Sequence, residues 1–330
     1  MKVLVTGACG FIGSHLVESL VLKGHHVRAF TFYNSRGSNG WIDNLDKKLF
    51  KQIEVISGDI RDYHFLEKQF KNIDIVFHLA ALIAIPYSYQ SPKSYIDTNI
   101  IGTYNILKCS QKNSISKTII TSTSEVYGTA QTIPITEDHP LSAQSPYAAT
   151  KIAADQLALS FYKSYNLPIT ILRPFNTFGP RQSARAVIPT IISQLLNKNK
   201  TLKIGNLFPT RDFTFIDDTV NAFISTIKSK SYGETINVGS RFEISIKDIL
   251  NIFKKDFGYN FDIIVDKQRI RPKNSEAQRL FSSDIKAKKL LKWKPKYGGL
   301  VGFKKGLKKT LDWFSDAENR KFYRSNIYNI

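Results

Sequence analysis

At 330 residues the chain exceeds a usual single domain, which favours one large α/β unit with a smaller lobe, and 42% hydrophobic with 22% charged residues excludes wholesale disorder. Its two cysteines, Cys9 and Cys109, exclude a disulfide framework or a thiolate metal centre, so no metal is expected and a reducing cytoplasm fits. A net charge of +20 admits a nucleic-acid partner, but the lysines are spread along the chain, and their field serves equally to attract a small anionic substrate.

Lys2-Val-Leu-Val-Thr6 reads as a buried parallel strand, reached without a signal-peptide pattern. It runs into Gly7-Ala-Cys-Gly10-Phe-Ile-Gly13 and the helical pattern His15–Lys23. Glycines between a strand and a helix allow a tight turn, close approach of a pyrophosphate and close helix packing, while the helix start offers free N–H groups. Gly7, Gly10, Phe11, Ile12 and Gly13 are therefore candidate dinucleotide contacts. The second strand, Val27–Thr31, lacks the terminal acid that would hold an NAD ribose. Asn34, Ser35 and Arg36 follow it and suit a 2′-phosphate, so NADP is expected, with NAD open and Arg36 then a solvated loop residue.

Val55–Asp62 reads as a third strand and polar turn before a short helix, Tyr63–Phe70. Ile73–Ala81 is a fourth strand with small residues at its end. The apolar window Ile75–Tyr87 contains His78 and is too short to cross a bilayer, and His78 is expected to be structural. Ile83–Pro92 is expected as a loop above the strand ends, and Asn99 as the start of a helix. The fifth strand, Lys117–Thr123, delivers Thr123, Ser124 and Glu125 to its carboxyl end. Tyr147 and Lys151 stand at i and i+4 on one helix face, where the ammonium is expected to lower the phenol pKa and create a base for a hydroxyl proton.

Pro168–Phe175 continues the sheet, and the forked guanidinium groups of Arg211 and Arg271 match phosphate oxygens, with surface solvation as the alternative. Ile244–Phe257 reads as a helix. Lys304, Lys305, Lys308 and Lys309 fall around Phe303, Leu307, Leu311 and Trp313 as on the solvated face of an amphipathic helix, so neither nucleic acid nor membrane is expected as a partner. Strands alternating with helices imply an α/β fold, a Rossmann-type doubly wound parallel sheet with a smaller C-terminal α/β lobe. The expected division is 1–172 with about 213–240 for the cofactor, and 173–212 with 241–330 for the substrate.

The motifs GACGFIG, GDIRD, HLAA, TSTSEVYG, YAATK, Arg173–Pro180, Arg211–Asp218, Asn237-Val-Gly239 and Arg271-Pro272 together resemble the extended short-chain dehydrogenase/reductases, specifically the NAD(P)-dependent nucleotide-sugar epimerase/dehydratase family. The resemblance covers most of the chain. It implies adenine contacts at Asp59 and Ile60, and further cofactor neighbours at Leu79, Ala80, Ala81, Asn99, Thr121, Tyr147, Lys151 and Pro174. It implies substrate contacts at Ile83, Thr123, Glu125, Asn176, Val187, Lys203, Arg211, Arg271 and Glu276, and a homodimer formed through the YxxxK helix.

Epimerases of this family usually carry small residues after the Ser/Thr, whereas 4,6-dehydratases carry a glutamate there. Thr123-Ser124-Glu125 resembles the GDP-mannose dehydratase pattern. The chemistry is direct: once C4 is a ketone, the C5 proton is acidic, and a carboxylate can remove it while the C6 hydroxyl leaves. Glu125 as a mere turn cap is the alternative. Ile83-Ala-Ile-Pro86-Tyr87 and the missing acid at Thr31 resemble the GDP-N-acetylglucosamine dehydratases of legionaminic acid synthesis, in surface-glycan deoxysugar biosynthesis, while a UDP-linked substrate stays open. Two rivals remain: a 4-epimerase, and an idle NAD(P)-binding protein with a basic RNA-binding surface, against which intact Thr123, Tyr147 and Lys151 speak.

Overall fold

The computed structural model describes residues 1–323. Seven parallel strands form the central sheet in the order Glu234–Val238, Ile169–Pro174, Lys117–Thr121, Ile75–His78, Lys2–Thr6, His26–Phe32, Ile53–Gly58. The order reverses beside Lys2–Thr6, which pairs on one side with His26–Phe32 and on the other with Ile75–His78. Open sheets of this kind bind ligands at that reversal, outside the carboxyl ends of the strands. Val3, Leu4, Val5, Ile75, Val76 and Phe77 are buried, because helices cover both faces and each strand needs apolar side chains on both.

The smaller lobe is built on Thr210–Phe215, flanked by Glu243–Ser245, Arg279–Leu280 and Asn176–Phe178. Thr201–Ile204 pairs separately with Asp262–Val265. Phe178 packs on Phe215 at 5.5 Å and on Phe303 at 5.2 Å between ring centroids, tying this sheet to the helix Gly299–Ser315. Phe303, Leu307 and Leu311 are buried on that helix while Lys305, Lys308 and Lys309 are exposed, as the spacing predicts.

Three local expectations are corrected. Ile83–Pro92 is mostly a helix, Ile85–Gln90, with Pro86 in its first turn, where a missing N–H costs nothing. Asn99 does not start a helix; it lies in a π-helical turn, Ile96–Ile101, within a helical run that continues through Gly102–Lys112. Ile244 belongs to the strand Glu243–Ser245, paired antiparallel with Thr210–Asp212, and the helix starts only at Ile246, where Ser245 Oγ accepts from Asp248 N at 3.0 Å. In each case a tertiary partner, or the turn chemistry beside it, overrides the local pattern.

Candidate active site

The glycine turn is shaped by close approach. Gly7 has φ +68°, and a β-carbon on it would stand 2.7 Å from the backbone nitrogen of Ala80, at the end of the neighbouring strand. A β-carbon on Gly13 would stand 2.2 Å from the Gly7 carbonyl. The helix Phe11–Leu22 begins at Gly10 with no side-chain cap, so its first-turn amides stay available for an anion. Leu79, Ala80 and Ala81 line the adjacent strand end, and Asn99 fixes the next residue: its Nδ2 donates to the Leu82 carbonyl and its Oδ1 accepts from Leu82 N, both at 2.9 Å. Asn99 also donates to Thr150 Oγ1 at 3.0 Å, joining this strand end to the YxxxK helix.

Beyond the strand Ile53–Gly58, where adenine contacts are expected, Ile60 is buried and a β-carbon on Gly102 would strike it at 2.4 Å. Asp59 is held by Arg61, whose guanidinium keeps its carboxyl below the usual range. The buried Thr31 hydroxyl meets Ser57 Oγ at 3.0 Å. Asn34 Oδ1 accepts from the backbone of Arg36 and Ser38, and the Ser35 and Arg36 side chains are exposed in that turn. These features fit a dinucleotide: a turn punctuated by Gly7, Gly10 and Gly13, open helix amides and small residues facing them.

The second half of the site is carried by Pro146–Tyr165, a helix capped by Ser145 Oγ on Ala148 N at 3.1 Å with Pro146 in its first turn. Tyr147 and Lys151 are both buried on it. Lys151 Nζ donates to the Thr121 carbonyl at 2.6 Å. The Thr123 hydroxyl hydrogen-bonds the Tyr147 phenol and also accepts from Glu125 N at 3.3 Å. One strand end thus holds both members of the pair and starts the turn carrying Glu125, while Ser124 is buried beneath it.

The expected lowering of the Tyr147 pKa is overturned. Burial is the largest cause acting on it and raises it; Tyr147 packs with Ile85 and Tyr95, and with the partly buried Leu82 and Tyr89. The Thr123 hydrogen bond pulls the phenol down, whereas Glu125, Tyr95 and Asp155 push it up. Lys151 is itself lowered by burial, with Asp155 opposing. Sequence spacing placed the two groups on one helix face, but the Lys151 ammonium is engaged by the Thr121 carbonyl and is not among the influences on the phenol, and spacing carries no record of the desolvation that dominates. His78 is structural as expected: buried, hydrogen-bonded to Thr6 and Thr103, and held near a pKa of about 3 by burial.

The smaller lobe carries the two arginines expected to meet phosphate. Arg211 is 6% exposed and its Nη2 donates to Glu276 Oε1 at 2.7 Å. Arg271 Nη1 reaches the same oxygen at 3.5 Å, so Glu276 gathers both guanidinium groups. Glu125 also acts on Arg211, which places the predicted C5 base and the predicted phosphate ligand in one electrostatic neighbourhood. Pro174 is buried, and Asn176 Oδ1 and Thr121 Oγ1 are buried with no hydrogen-bond partner among the described residues. Val187 begins the helix Val187–Leu196. Lys203 is exposed on Thr201–Ile204, and Ile83 is 63% exposed beside the site helix Ile85–Gln90. Sequence reading missed Asp155 and the roles of Tyr89 and Tyr95; Asp155, a carboxylate one turn past Lys151 in an apolar run, was the available signal.

The sequence profile of the family described as GDP-mannose 4,6 dehydratase matches residues 4–310. Human dTDP-D-glucose 4,6-dehydratase is 32% identical over 348 residues, covering 99% of this chain and 91% of that protein. Among solved structures, UDP-glucuronic acid 4-epimerase from Bacillus cereus, in complex with UDP-4-deoxy-4-fluoro-glucuronic acid and NAD, superposes with a TM-score of 0.86 at 31% identity, over 98% of this chain and 100% of that one. dTDP-glucose 4,6-dehydratase from Bacillus anthracis, in complex with NAD, reaches 0.83 at 27% identity over 98% of each chain. The fold and site define a Rossmann-type enzyme of the short-chain dehydrogenase/reductase class. Within it, the chain belongs to the NAD-dependent nucleotide-sugar dehydratase/epimerase family.

Proposed function

We propose that the protein is a nucleotide-sugar 4,6-dehydratase, with GDP-N-acetylglucosamine as the favoured substrate and NADP as the favoured cofactor. The observation that carries the reaction type is Glu125, set by the Thr123 turn close enough to Tyr147 and Arg211 for its charge to act on both. When bound, an oxidised nicotinamide supplies a positively charged acceptor of hydride, which it later returns. Tyr147, hydrogen-bonded to Thr123 and backed by Lys151, takes the C4-hydroxyl proton. Glu125 then removes the C5 proton and passes it to the departing C6 hydroxyl, which leaves as water. A hydride at C6 and a proton at C5, the one Tyr147 took from the C4 hydroxyl, would complete the 4-keto-6-deoxy product.

Arg211 and Arg271, gathered by Glu276, would take the diphosphate together with Asn176, so that the lobe of 173–212 and 241–330 holds the nucleotide. Arg36 would meet the 2′-phosphate; it is exposed and makes no ion pair among the described residues. We extend the reading to a cytoplasmic homodimer through Gly102–Lys112 and Pro146–Tyr165, whose outer faces expose Tyr104 and Tyr165. No helix among the described residues is long and apolar enough to cross a membrane.

A 4-epimerase is the second reading, supported by the UDP-glucuronic acid 4-epimerase fold match. Mass spectrometry of purified protein with NADP or NAD and a panel of GDP- and UDP-hexoses and N-acetylhexosamines separates the two. Loss of one water from a single sugar establishes dehydration and identifies the substrate. A new isomer of unchanged mass, still formed by Glu125→Gln, establishes epimerisation and removes Glu125 from the mechanism.

A further inference from the structure

We propose that Asp155 is a positioning residue: a buried carboxylate, anchored from behind by Ser122 and Arg173, that keeps the Lys151 ammonium charged and seated against the strand end. The proposal rests on Tyr147 and Lys151 being the proton-handling pair. Asp155 is 0% exposed and lies one turn beyond Lys151, on the same face of the same helix. Its Oδ2 accepts from Ser122 Oγ at 2.7 Å and from Arg173 Nε and Nη2 at 3.1 and 3.0 Å. Its Oδ1 is buried with no hydrogen-bond partner among the described residues, so half of the carboxylate's acceptor capacity is unused.

Ser122 lies between Thr121, whose carbonyl takes Lys151 Nζ, and Thr123, whose hydroxyl serves Tyr147. One hydrogen bond from Ser122 therefore pins the strand end on which both groups depend. Arg173 is anchored in turn. Its Nη1 donates to the Tyr127 hydroxyl at 2.9 Å, its guanidinium lies 5.0 Å from the centroid of that ring, and Tyr127 donates to Asn237 Oδ1 at 2.8 Å. The anchor thus spans three adjacent strands of the central sheet.

Apart from the Thr121 carbonyl, the surroundings give the Lys151 charge no other support. It has no ion pair among the described residues, and burial works against its charge. His78, from the neighbouring strand, is neutral. Tyr95 and Glu125 act on Tyr147, and Arg173 is bound to Asp155 itself. Without the Asp155 charge Lys151 would face only a carbonyl oxygen, and the unmasked charge of Arg173 would repel it.

The test is an NMR titration of lysine Cε resonances in the full-length protein, with Lys151 identified by the signal lost in Lys151→Met. In Asp155→Asn the Lys151 proton affinity is expected to fall at least tenfold, and Asp155→Glu is expected to restore most of it. Asp155→Asn leaves Arg173 buried without an anion, so Asp155→Asn/Arg173→Met, with both charges removed and a neutral core, carries the comparison if the single variant does not fold. It should show a fall in the same direction but smaller, because the Arg173 repulsion is removed together with the Asp155 charge. A Lys151 titration unchanged from wild type in a folded variant lacking Asp155 overturns the proposal. Failure of the wild type to turn over any nucleotide-sugar would sink the functional reading instead and leave this titration intact.

Discussion

The two halves of the site are built in different ways. The proposed cofactor half is centred on a short stretch: Gly7–Gly13 lies within one strand–turn–helix unit, and the Gly13 β-carbon position against the Gly7 carbonyl spans six residues, although Gly7 also closes on Ala80 beyond the neighbouring strand. The substrate half is assembled from distant ones: Arg211 reaches Glu276 across 65 residues, and Asn176 pairs with Phe213 through neighbouring strands. A local turn can be specified by glycines alone, because backbone sterics decide it. A cluster of buried arginines exists only if the whole lobe closes around it, since an unpaired buried charge is costly.

That contrast can be broken at the pair the two halves share. Tyr147→Phe should lower turnover about 10³-fold without changing the melting temperature appreciably, since it removes the proton acceptor but little packing; product analysis by mass spectrometry reads the first effect and thermal unfolding the second. Gly13→Ala strikes the local half alone. Its methyl would meet the Gly7 carbonyl at 2.2 Å, so the turn must shift, with a stability cost of roughly 1–3 kcal/mol and a fall in NADH affinity measurable by fluorescence. Normal cofactor binding by this variant would remove the turn from the cofactor site.

Arg211→Lys sharpens the other side. It keeps the charge but loses the fork that holds Glu276, so the nucleotide-sugar KM is expected to rise about tenfold with kcat changed less and NADH affinity untouched. Arg36→Ala is a milder change: NADP affinity should fall by up to about tenfold while NAD affinity stays constant, and equal losses for both would overturn the NADP assignment.

The smallest effect concerns pH. Asp212 is buried behind Arg211, accepts from the backbone of Ser240, Arg241 and Ser282, and has its pKa pushed up to about 6 by burial. The unfolded chain releases this proton near 3.8 and the folded lobe near 6, so the folded state binds more protons between those values. Its contribution should therefore fall as pH rises through that window. Chemical denaturation of Asp212→Asn against wild type at several pH values checks this, with a flatter pH dependence expected in the variant.

By itself, the sequence determined what depends on short spacing. Alternation of apolar runs and glycine turns laid out the strands and helices of a doubly wound parallel sheet, because side-chain periodicity and backbone sterics act over a few residues, whereas the strand order and its reversal beside Lys2–Thr6 came from the packed sheet. Thr123, Glu125, Tyr147 and Lys151 were legible for the same reason: a strand end and an i, i+4 pair on one helix. Tertiary structure alone decided how those groups behave. The same burial that closes Ile85 and Tyr95 over Tyr147 raises its phenol, reversing the sign that Lys151 at i+4 suggested. Asp155 and Arg173 stand on different elements, and their pairing behind Ser122 becomes visible only when helix and strands are packed. Desolvation and long-range charge depend on what surrounds a group in space, and contact order along the chain carries no record of that until the lobes have closed.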